Sequence, residues 1–287
     1  MSRPTPETSF APTLTERDFE KFRQLAHAKF GLSLSDAKRD LVAVRLGKRL
    51  RELKLPSFKA YYEHVQADTT GESLIGLIDS LSTNHTSFMR EGNHFNFLRQ
   101  QVLPALRQRS RIDIWSAPCS TGEEPYSILF TLLDELGVPP RPDVRIRAVD
   151  ISSRALDTAR QARYARSRLQ GLNDVAIRKY LAPAGNGVFE VRPEFRRMLE
   201  FGRVNLIEPL TESRLYPLIF CRNMMIYFDK PTQERVVQQL ARCLEPGGYF
   251  FIGHSESLLN IIHPFEYLQP AIYRLPLTGS PPPRKRR

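Results

Sequence analysis

The stretch WSAPCSTGEEPY, residues 115–126, separates an apolar run that ends in RIDIW from a run with helical spacing. In doubly wound α/β domains, the loop between a strand and the following helix is where nucleotide cofactors bind. This loop contains one glycine, Gly122, followed by two acids, Glu123 and Glu124. The ligand that suits such a loop decides both the fold class and the function.

Three kinds of ligand compete for this loop. A P-loop requires GxxxxGK[ST], and residues 115–126 contain no lysine. A dinucleotide fingerprint requires GxGxxG because the pyrophosphate approaches the backbone closely, but only Gly122 is present. S-adenosylmethionine has no phosphate and carries a sulfonium and an ammonium, which Glu124 or Glu123 would attract. An acid in the first helical turn is also favoured by the helix dipole whatever the function.

The chain around this loop alternates between helical and strand patterns from about residue 95. The predicted strands are 111–115, 144–150, 218–223 and 249–256, and the predicted helices are 95–108, 125–136, 153–164 and 232–244. Such alternation indicates a Rossmann-like α/β domain with a parallel sheet. Residues 165–204 break the pattern, and VFEV and RRMLEF within them are predicted to be short antiparallel strands of an inserted β-subdomain. Asp150 ends the second strand, where an acid binds a ribose diol or caps the next helix.

The first third of the chain predicts a small all-α domain, residues 13–82. A capping box begins at Thr15, and a second helix runs from near Ser35 to Pro56 with one apolar and one basic face. We expect residues 83–94 to be a linker and 95–276 the α/β domain, with a disordered basic tail at 277–287.

Composition excludes several classes of protein. The chain has 287 residues with a net charge of +11, and no apolar run approaches the length of a membrane helix. The first residues lack the apolar core of a signal peptide, which predicts a cytoplasmic protein without membrane insertion. Three cysteines without a CxxC pair predict reduced thiols and no metal site.

Six spaced blocks give the chain a family resemblance. They are TNHTSFMRE (83–91), WSAPCSTGEEPYSI (115–128), AVDIS (148–152), FGRVNL (201–206), IFCRNMMIYFD (219–229) and GHSES (253–257). In this order they resemble the CheR-type chemotaxis receptor methyltransferases of bacteria, over nearly the whole folded chain. The resemblance implies S-adenosylmethionine-dependent methylation of glutamate side chains on the cytoplasmic helices of chemoreceptors, by an enzyme we expect to be monomeric.

The resemblance also assigns site residues by motif position. The positions that match cofactor contacts are Asn84, Thr86, Arg90, Glu124, Asp150, Asn205, Leu206, Arg222 and Asn223. Arg90 and Tyr227 match residues near the transferred methyl group. Arg90 equally suits a salt bridge that closes the linker onto the domain. Tyr227 also suits core packing, although we favour the functional role for it. His254 is expected to be structural.

Two departures from the family pattern concern packing and one concerns the partner. Met89 replaces an aromatic residue of the linker motif, and Pro118 replaces a small residue of the loop. The loop APAGNG (182–187) of the inserted subdomain is shorter than in family members that dock a receptor's C-terminal peptide there. We therefore expect this enzyme to act without such a tether.

The reaction implied by the resemblance needs few catalytic groups. A glutamate has a reference pKa of about 4.3, so its carboxylate is already a nucleophile at neutral pH and needs no base. The basic face of the second helix, with Arg45, Lys48 and Arg49, would orient a glutamate-rich receptor helix, or is simply a solvated face. The alternatives are a non-catalytic scaffold and a nucleic-acid methyltransferase. We expect no nucleic-acid partner, because RNMMIYF lacks the Pro-Pro-aromatic stretch of base-amino methyltransferases.

Overall fold

The computed structural model describes residues 12–82 and 84–277, which divide into two compact units at residues 82 and 83. The prediction that the first residues lack a signal peptide concerns residues outside the described range. The predicted basic tail, 277–287, also lies outside it except for residue 277. In the described part of the chain, no helix has the length and apolar character needed to cross a membrane.

The first unit is entirely helical, as predicted. It consists of α1 Glu16–Phe30, a 3-10 turn Asp36–Lys38, α2 Arg39–Glu52, α3 Phe58–Ala67 and α4 Glu72–Leu81. The predicted cap of α1 is present, because the Asp18 amide donates to the Thr15 hydroxyl at 3.1 Å. The helix ends where Gly31 takes a left-handed φ of 70°. The apolar faces bury side chains such as Phe22, Leu46 and Tyr61.

The second unit begins with helical turns and is built on a seven-stranded sheet. The helical segments before the sheet are α5 Asn93–Phe97, a π-helical stretch Leu98–Val102 and α6 Leu103–Leu106. The strands of the sheet are β1 Arg111–Ser116, β2 Asp143–Asp150, β6 Leu199–Arg203, β7 Tyr216–Phe220, β8 Leu244–Phe251, β9 Glu266–Gln269 and β10 Ile272–Arg274. The larger helices that follow strands are α7 Glu123–Leu136, α8 Ser153–Gln161 and α11 Lys230–Arg242.

The strand order is β6-β2-β1-β7-β8-β10-β9, in which the first five strands are parallel and β10 runs antiparallel to both neighbours. From β1 the chain moves outward to β2 and β6, and then returns to the other side of β1 with β7. This reversal places a crevice at the carboxyl ends of β1 and β7, which is where open α/β sheets bind ligands. The predicted Rossmann-like fold class is confirmed.

A small antiparallel sheet is inserted between α8 and β6. Its strands are β3 Arg163–Ala165, β4 Leu181–Pro183 and β5 Val188–Val191, in the order β3-β5-β4. The short helices α9 Asp174–Tyr180 and α10 Pro193–Arg196 flank it in sequence. Tyr180 of α9 stacks on Phe130 of α7 with ring centroids 4.2 Å apart, which packs the insertion against the main domain.

One strand prediction in this region was wrong. RRMLEF was expected to be an antiparallel strand of the insertion, but Leu199–Arg203 forms β6, a parallel edge strand of the main sheet that pairs with β2. A short alternating run such as Leu199 and Phe201 does not reveal which sheet a strand joins, because the pairing is set by distant residues. The helix predicted to reach residue 164 ends at Gln161, since Ala162 takes a φ of +54° and Tyr164 enters β3.

Candidate functional site

Backbone amides of the loop between β1 and α7 donate hydrogen bonds to neighbouring residues of the same domain. The amide of Cys119 donates to the Val149 carbonyl at 2.7 Å, and the amide of Ser120 donates to Asp150 Oδ2 at 2.8 Å. Gly122 has a φ of +99°, and a Cβ there would lie 2.7 Å from the Tyr164 hydroxyl. Backbone conformation and close packing therefore explain the single glycine, without any phosphate approaching the loop.

Glu123 and Glu124 face different partners. Glu123 is fully buried and pairs with Arg168 of the inserted segment and with the Thr121 hydroxyl, whose oxygen lies 2.7 Å away. Glu124 accepts from the Ser116 hydroxyl at 2.8 Å and from Arg222 Nη1 at 3.0 Å. Glu123 thus closes the loop onto the insertion, whereas Glu124 joins the crevice between β1 and β7.

Burial raises the pKa of both acids, although the partners oppose it. For Glu123 the opposing groups are Thr121 and Arg168, and for Glu124 they are Arg222 and Ser116. A carboxylate that is buried beside one shared guanidinium gains from a second positive charge more than an exposed one does. Glu124 is therefore well suited to a cationic ligand.

Asp150 lies at the carboxyl end of β2, as predicted, and serves the backbone around it. Its Oδ2 accepts from Ser120 and its Oδ1 accepts from the Ser152 amide at 2.9 Å. These bonds fix the carboxylate at the edge of the crevice. Its predicted ribose contact stays a prediction.

The linker segment runs beside the loop within the same unit. Asn84 accepts from the Ser120 hydroxyl through its carbonyl at 3.3 Å, and the Met89 amide donates to Ser127 Oγ at 2.9 Å. The side chain of Arg90 donates to the His85 carbonyl at 3.0 Å. Thr86 lies on the same segment and is partly exposed. Two of the cofactor residues predicted from the family pattern, Asn84 and Glu124, thereby flank one loop.

Arg222 connects the linker to the loop. Its side chain is 1% exposed, and its Nη2 donates to the Arg90 carbonyl at 2.5 Å and to Glu91 Oε2 at 2.9 Å. Its Nη1 bonds Glu124, and its guanidinium lies 5.9 Å from the centroid of the Phe95 ring. The three segments predicted to line the cofactor site, after residue 83, after β1 and after β7, are therefore joined through one side chain.

Two acids in this site were missed by sequence reasoning. Glu91 accepts from Arg222 and from Asn223 Nδ2, the latter at 3.2 Å. Glu256 accepts from the amides of Gly253, Asn223 and Met225 at 2.6, 2.8 and 2.7 Å, and so joins the loops after β7 and β8. Glu91 directly follows Arg90 in the motif TNHTSFMRE, and Glu256 stands two residues after His254 in GHSES.

Four non-glycine residues in these segments have left-handed backbone conformations. Met89, Glu91, Ser120 and Asn223 have φ values of 54°, 59°, 49° and 58°. Such conformations cost of order 1–3 kcal/mol each and persist where surrounding contacts hold them, which is typical of functional sites. Met89 and Glu91 flank Arg90, and Asn223 directly follows Arg222.

The remaining predicted residues of this unit lie on the loops after β6 and β7. Asn205 donates to Glu208 Oε1 at 2.9 Å, and Leu206 is buried in the apolar core. Tyr227 ends the 3-10 turn Met225–Tyr227 and is partly buried. Both loops follow the carboxyl ends of parallel strands, so the fold puts them at the edge predicted for ligand binding.

The three basic residues predicted to bind substrate lie on α2 in the first unit. Arg45 donates to the Leu81 carbonyl at 2.6 Å, and Arg49 pairs with Glu52 at 3.2 Å and packs against Gly76. Lys48 is exposed. Two of the three therefore have structural contacts within the helical unit, and only Lys48 points freely enough into solvent to meet a partner by charge alone.

The residues of the crevice fit S-adenosylmethionine better than a phosphate-bearing cofactor. The Ser120 amide, which would cradle a phosphate, is already bonded to Asp150. The charged groups bonded to Arg222 are two carboxylates, Glu91 and Glu124, which favour a cation over an anion. A Rossmann-like sheet with such a switch-point loop is typical of the S-adenosylmethionine-dependent methyltransferases.

Comparison with known proteins identifies the particular family. The model of the S-adenosylmethionine-binding domain of CheR methyltransferase matches residues 84–273, and the model of the CheR all-alpha domain matches residues 17–82. The chain belongs to the CheR methyltransferase family. The predicted cofactor and the predicted enzyme class are confirmed with it.

Relatives match over nearly the full chain. Chemotaxis protein methyltransferase 2 of Pseudomonas aeruginosa is 40% identical over 253 residues, covering 87% of this chain and 89% of that protein. The chemotaxis protein methyltransferase of Salmonella typhimurium is 37% identical over 284 residues, covering 96% and 97%. Among solved structures, an O-methyltransferase family protein of Burkholderia thailandensis is 16% identical with a TM-score of 0.35, covering 66% of this chain and 42% of that one. That last likeness is too weak to add to the assignment.

Proposed function

We propose that this enzyme transfers the methyl group of S-adenosylmethionine to glutamate side chains of a chemoreceptor's cytoplasmic helices, giving methyl esters. The proposal rests on membership of the CheR family and on the relatives' naming as chemotaxis protein methyltransferases. The observation that carries it within the molecule is the Glu91–Arg222–Glu124 cluster at the switch point, which suits a cationic cofactor.

The chemistry asks little of the protein beyond placement. The bound cofactor supplies an electrophilic methyl group with a good leaving group, and the glutamate carboxylate is already ionised at neutral pH. The chain's residues must hold the acceptor oxygen in line with the methyl group and exclude water, which is catalysis by proximity and orientation. No general base is needed, because an ionised carboxylate has no proton to remove.

Arg90 and Tyr227 are the proposed positioning groups for the acceptor carboxylate. The Arg90 backbone is fixed by the bond from Arg222 to its carbonyl, while its guanidinium is only partly buried. A guanidinium matches a carboxylate in shape and charge. Tyr227 lies on the loop after β7, next in sequence to the exposed Ile226.

A methanol-release assay tests the reaction. The protein is incubated with methyl-labelled cofactor and receptor-containing membranes, and the products are then treated with base. Methyl esters release volatile labelled methanol, whereas methylated amines and nucleic-acid bases do not. Label that stays base-stable would reject the proposed glutamate chemistry and favour another acceptor.

The proposed partner is the receptor's methylation region, engaged by a monomeric cytoplasmic enzyme without a tether. The hairpin between β4 and β5 is tight, with the Ala184 amide donating to the Val188 carbonyl at 2.8 Å and left-handed φ values at Gly185, Asn186 and Gly187. Such a tight turn has few residues that could contact a bound peptide. Calorimetry with a receptor-tail pentapeptide should therefore show no binding, and measurable affinity would overturn this part of the proposal.

A further inference from the structure

Glu256 joins the loops that follow β7 and β8. It is 8% exposed, and its Oε2 accepts from the amides of Gly253 at 2.6 Å and Asn223 at 2.8 Å. Its Oε1 accepts from the amide of Met225 at 2.7 Å. The Glu256 amide in turn donates to the Gly253 carbonyl at 2.9 Å. One carboxylate therefore closes a turn of the loop after β8 and holds two amides of the loop after β7.

The charge of Glu256 and the bonds from these amides depend on each other. Burial raises the pKa of Glu256, whereas the amides of Gly253, Asn223 and Met225 oppose the rise. An ionised carboxylate accepts hydrogen bonds at both oxygens, and bonds from backbone amides stabilise its charged form. A glutamine here would offer one oxygen and would turn its NH₂ group toward at least one of the amides. The carboxylate is therefore the group that can hold both loops at once.

The turn Met225–Tyr227 is held at both of its ends. At its start, Glu256 binds the amide of Met225. At its end, Gln233 of α11 donates from Nε2 to the carbonyls of Met225 at 2.8 Å and Phe228 at 3.1 Å. The tyrosine of this turn therefore lies between two anchors that bind the backbone on either side of it.

The beginning of the same loop has a separate anchor on the linker. Asn223 Nδ2 donates to Glu91 Oε1 at 3.2 Å, and Arg222 bonds both Glu91 and Glu124. These bonds hold Arg222 and Asn223 without any contribution from Glu256. Loss of the Glu256 carboxylate should therefore displace the later part of the loop, which carries Tyr227, more than the two residues predicted to contact the cofactor.

We propose that Glu256 is a positioning residue for methyl transfer, which fixes the loop after β7 so that Tyr227 can orient the acceptor group beside the cofactor. Such orientation is sensitive to small movements, because a misplacement of about 1 Å can cost about 100-fold in rate. This inference rests on the proposed function, since it takes Tyr227 as a group that orients the acceptor. A Glu256 that only stabilises the fold would lower stability without acting through Tyr227.

A double-mutant cycle separates these two roles. Glu256→Gln should lower kcat for receptor methylation about tenfold, while S-adenosylmethionine affinity measured by calorimetry stays within a few-fold of wild type. In a Tyr227→Phe background the same substitution should lower kcat less than about threefold, because the group through which it acts is already lost. Losses that multiply in the double variant, an unchanged kcat, or an equal loss of cofactor affinity would overturn the proposal. Glu256→Asp, whose shorter side chain cannot span both loops, takes its place in the cycle if Glu256→Gln does not fold.

The matched control is Glu234→Gln. Glu234 of α11 accepts from the amide of Ile262 at 2.8 Å, so it also holds the loop after β8 by a bond to its backbone. Its carboxylate is bonded to that loop and not to the amides of Asn223 and Met225. The control should therefore keep the wild-type kcat. A fall in kcat as large as that of Glu256→Gln would mean that any loosening of the loop after β8 suffices, and would overturn the proposal.

Hydrogen exchange completes the experiment without any methyl acceptor. The peptide that covers residues 223–228 should exchange about tenfold faster in Glu256→Gln than in wild type, and at the wild-type rate in Glu234→Gln. Unchanged exchange in Glu256→Gln would overturn the proposal. Base-stable label in the methanol-release assay would reject the glutamate acceptor without altering the exchange result. The two proposals therefore fail separately.

Discussion

At the scale of single residues, Glu124 shows how the site prepares for a cation. Each of its oxygens accepts one hydrogen bond, from Ser116 and from Arg222, and burial raises its pKa. An acid with a raised pKa is protonated earlier as the pH falls. The ionised form is the one that attracts a positive ligand.

We therefore expect S-adenosylmethionine affinity to fall as the pH is lowered through the raised pKa of Glu124. The loss should begin above the ordinary glutamate value of 4.5. Affinity for neutral S-adenosylhomocysteine should change less, because it lacks the sulfonium. Calorimetry with both molecules from pH 7.5 downward measures this, and parallel pH dependence for the two would contradict it. Glu124→Gln should remove the difference.

The two proposed positioning residues give a separate prediction. Arg90→Ala and Tyr227→Phe should lower the rate of receptor methylation by about 10-fold or more, because each removes a group that orients the acceptor oxygen. Cofactor affinity should stay within a few-fold of wild type, since Arg222 bonds the backbone and not the side chain of residue 90. Steady-state methylation with a parallel binding measurement separates the two effects. A variant that methylates at the wild-type rate would lose its proposed role.

Sequence reasoning named residues that the structure brings together, but it did not predict the contacts that join them. Glu124, Arg222 and Asn84 were named from motif positions, and the structure places all three around one loop. The bond between Glu124 and Arg222 joins residues 98 positions apart, so no local pattern predicts it. Glu91 and Glu256 were missed because an acid that follows an arginine, or that stands between two serines, has the local pattern of an ordinary surface residue. Their distant hydrogen-bond donors are not visible in the sequence.

At the scale of secondary-structure elements, the linker is held by the segment that follows β3. Gly171 has a φ of +100°, and a Cβ there would lie 2.3 Å from the Phe88 carbonyl oxygen. The Phe88 carbonyl therefore occupies the space that a side chain at position 171 would need. Phe88 directly precedes the Met89–Glu91 stretch. This contact therefore sets the distance between the linker and the inserted segment that contains Gly171.

Gly171→Ala should destabilise the protein and weaken cofactor binding. Its matched control is Gly185→Ala, which has a comparable φ of +83° but no atom within 4 Å of the new Cβ. Both substitutions carry the left-handed penalty of about 1–2 kcal/mol. Only Gly171→Ala adds the clash, which typically costs a further 1–3 kcal/mol. Denaturant unfolding measures the difference, and equal losses for the two variants would show that the linker simply moves aside.

The elements themselves were predicted well where they are long and amphipathic. The first two helices of the helical unit and the alternating strands of the second unit follow the periodicity of the apolar residues. The boundaries shifted by a few residues because strands continue as long as partners are available. The strand β6 was assigned to the wrong sheet because its partner β2 lies some 50 positions earlier in the chain.

At the scale of the whole molecule, the net charge of +11 and the basic face of α2 favour an acidic partner. The structure indicates which basic side chains of α2 are exposed and could contact an acidic partner. Arg45 and Arg49 are engaged within the helical unit, whereas Lys48 and Arg51 are exposed. Reversing the charge of the first two would disturb folding as well as recognition.

We expect Lys48→Glu combined with Arg51→Glu to raise the KM for receptor several-fold at low salt. The effect should shrink toward physiological ionic strength, because exposed charges are screened over about 8 Å there. Two single reversals at Arg17 and Lys59, exposed cations on α1 and α3, combined in one protein, serve as the control for net charge. Equal effects in both double variants, or none, would leave the α2 face without a role in recognition.

The three buried cysteines can report how often the protein opens locally. All three are buried, and burial raises the pKa of Cys119 and Cys221, which stand in the loops after β1 and β7. A thiol reagent can reach them only when those loops part from the sheet. Their labelling rate in the native protein should therefore fall when cofactor binds. The labelling rate of Cys243, which caps the carboxyl-terminal end of α11, should change little. Mass spectrometry of the labelled peptides would then measure the rate at which the loops of the crevice open, without any engineered probe.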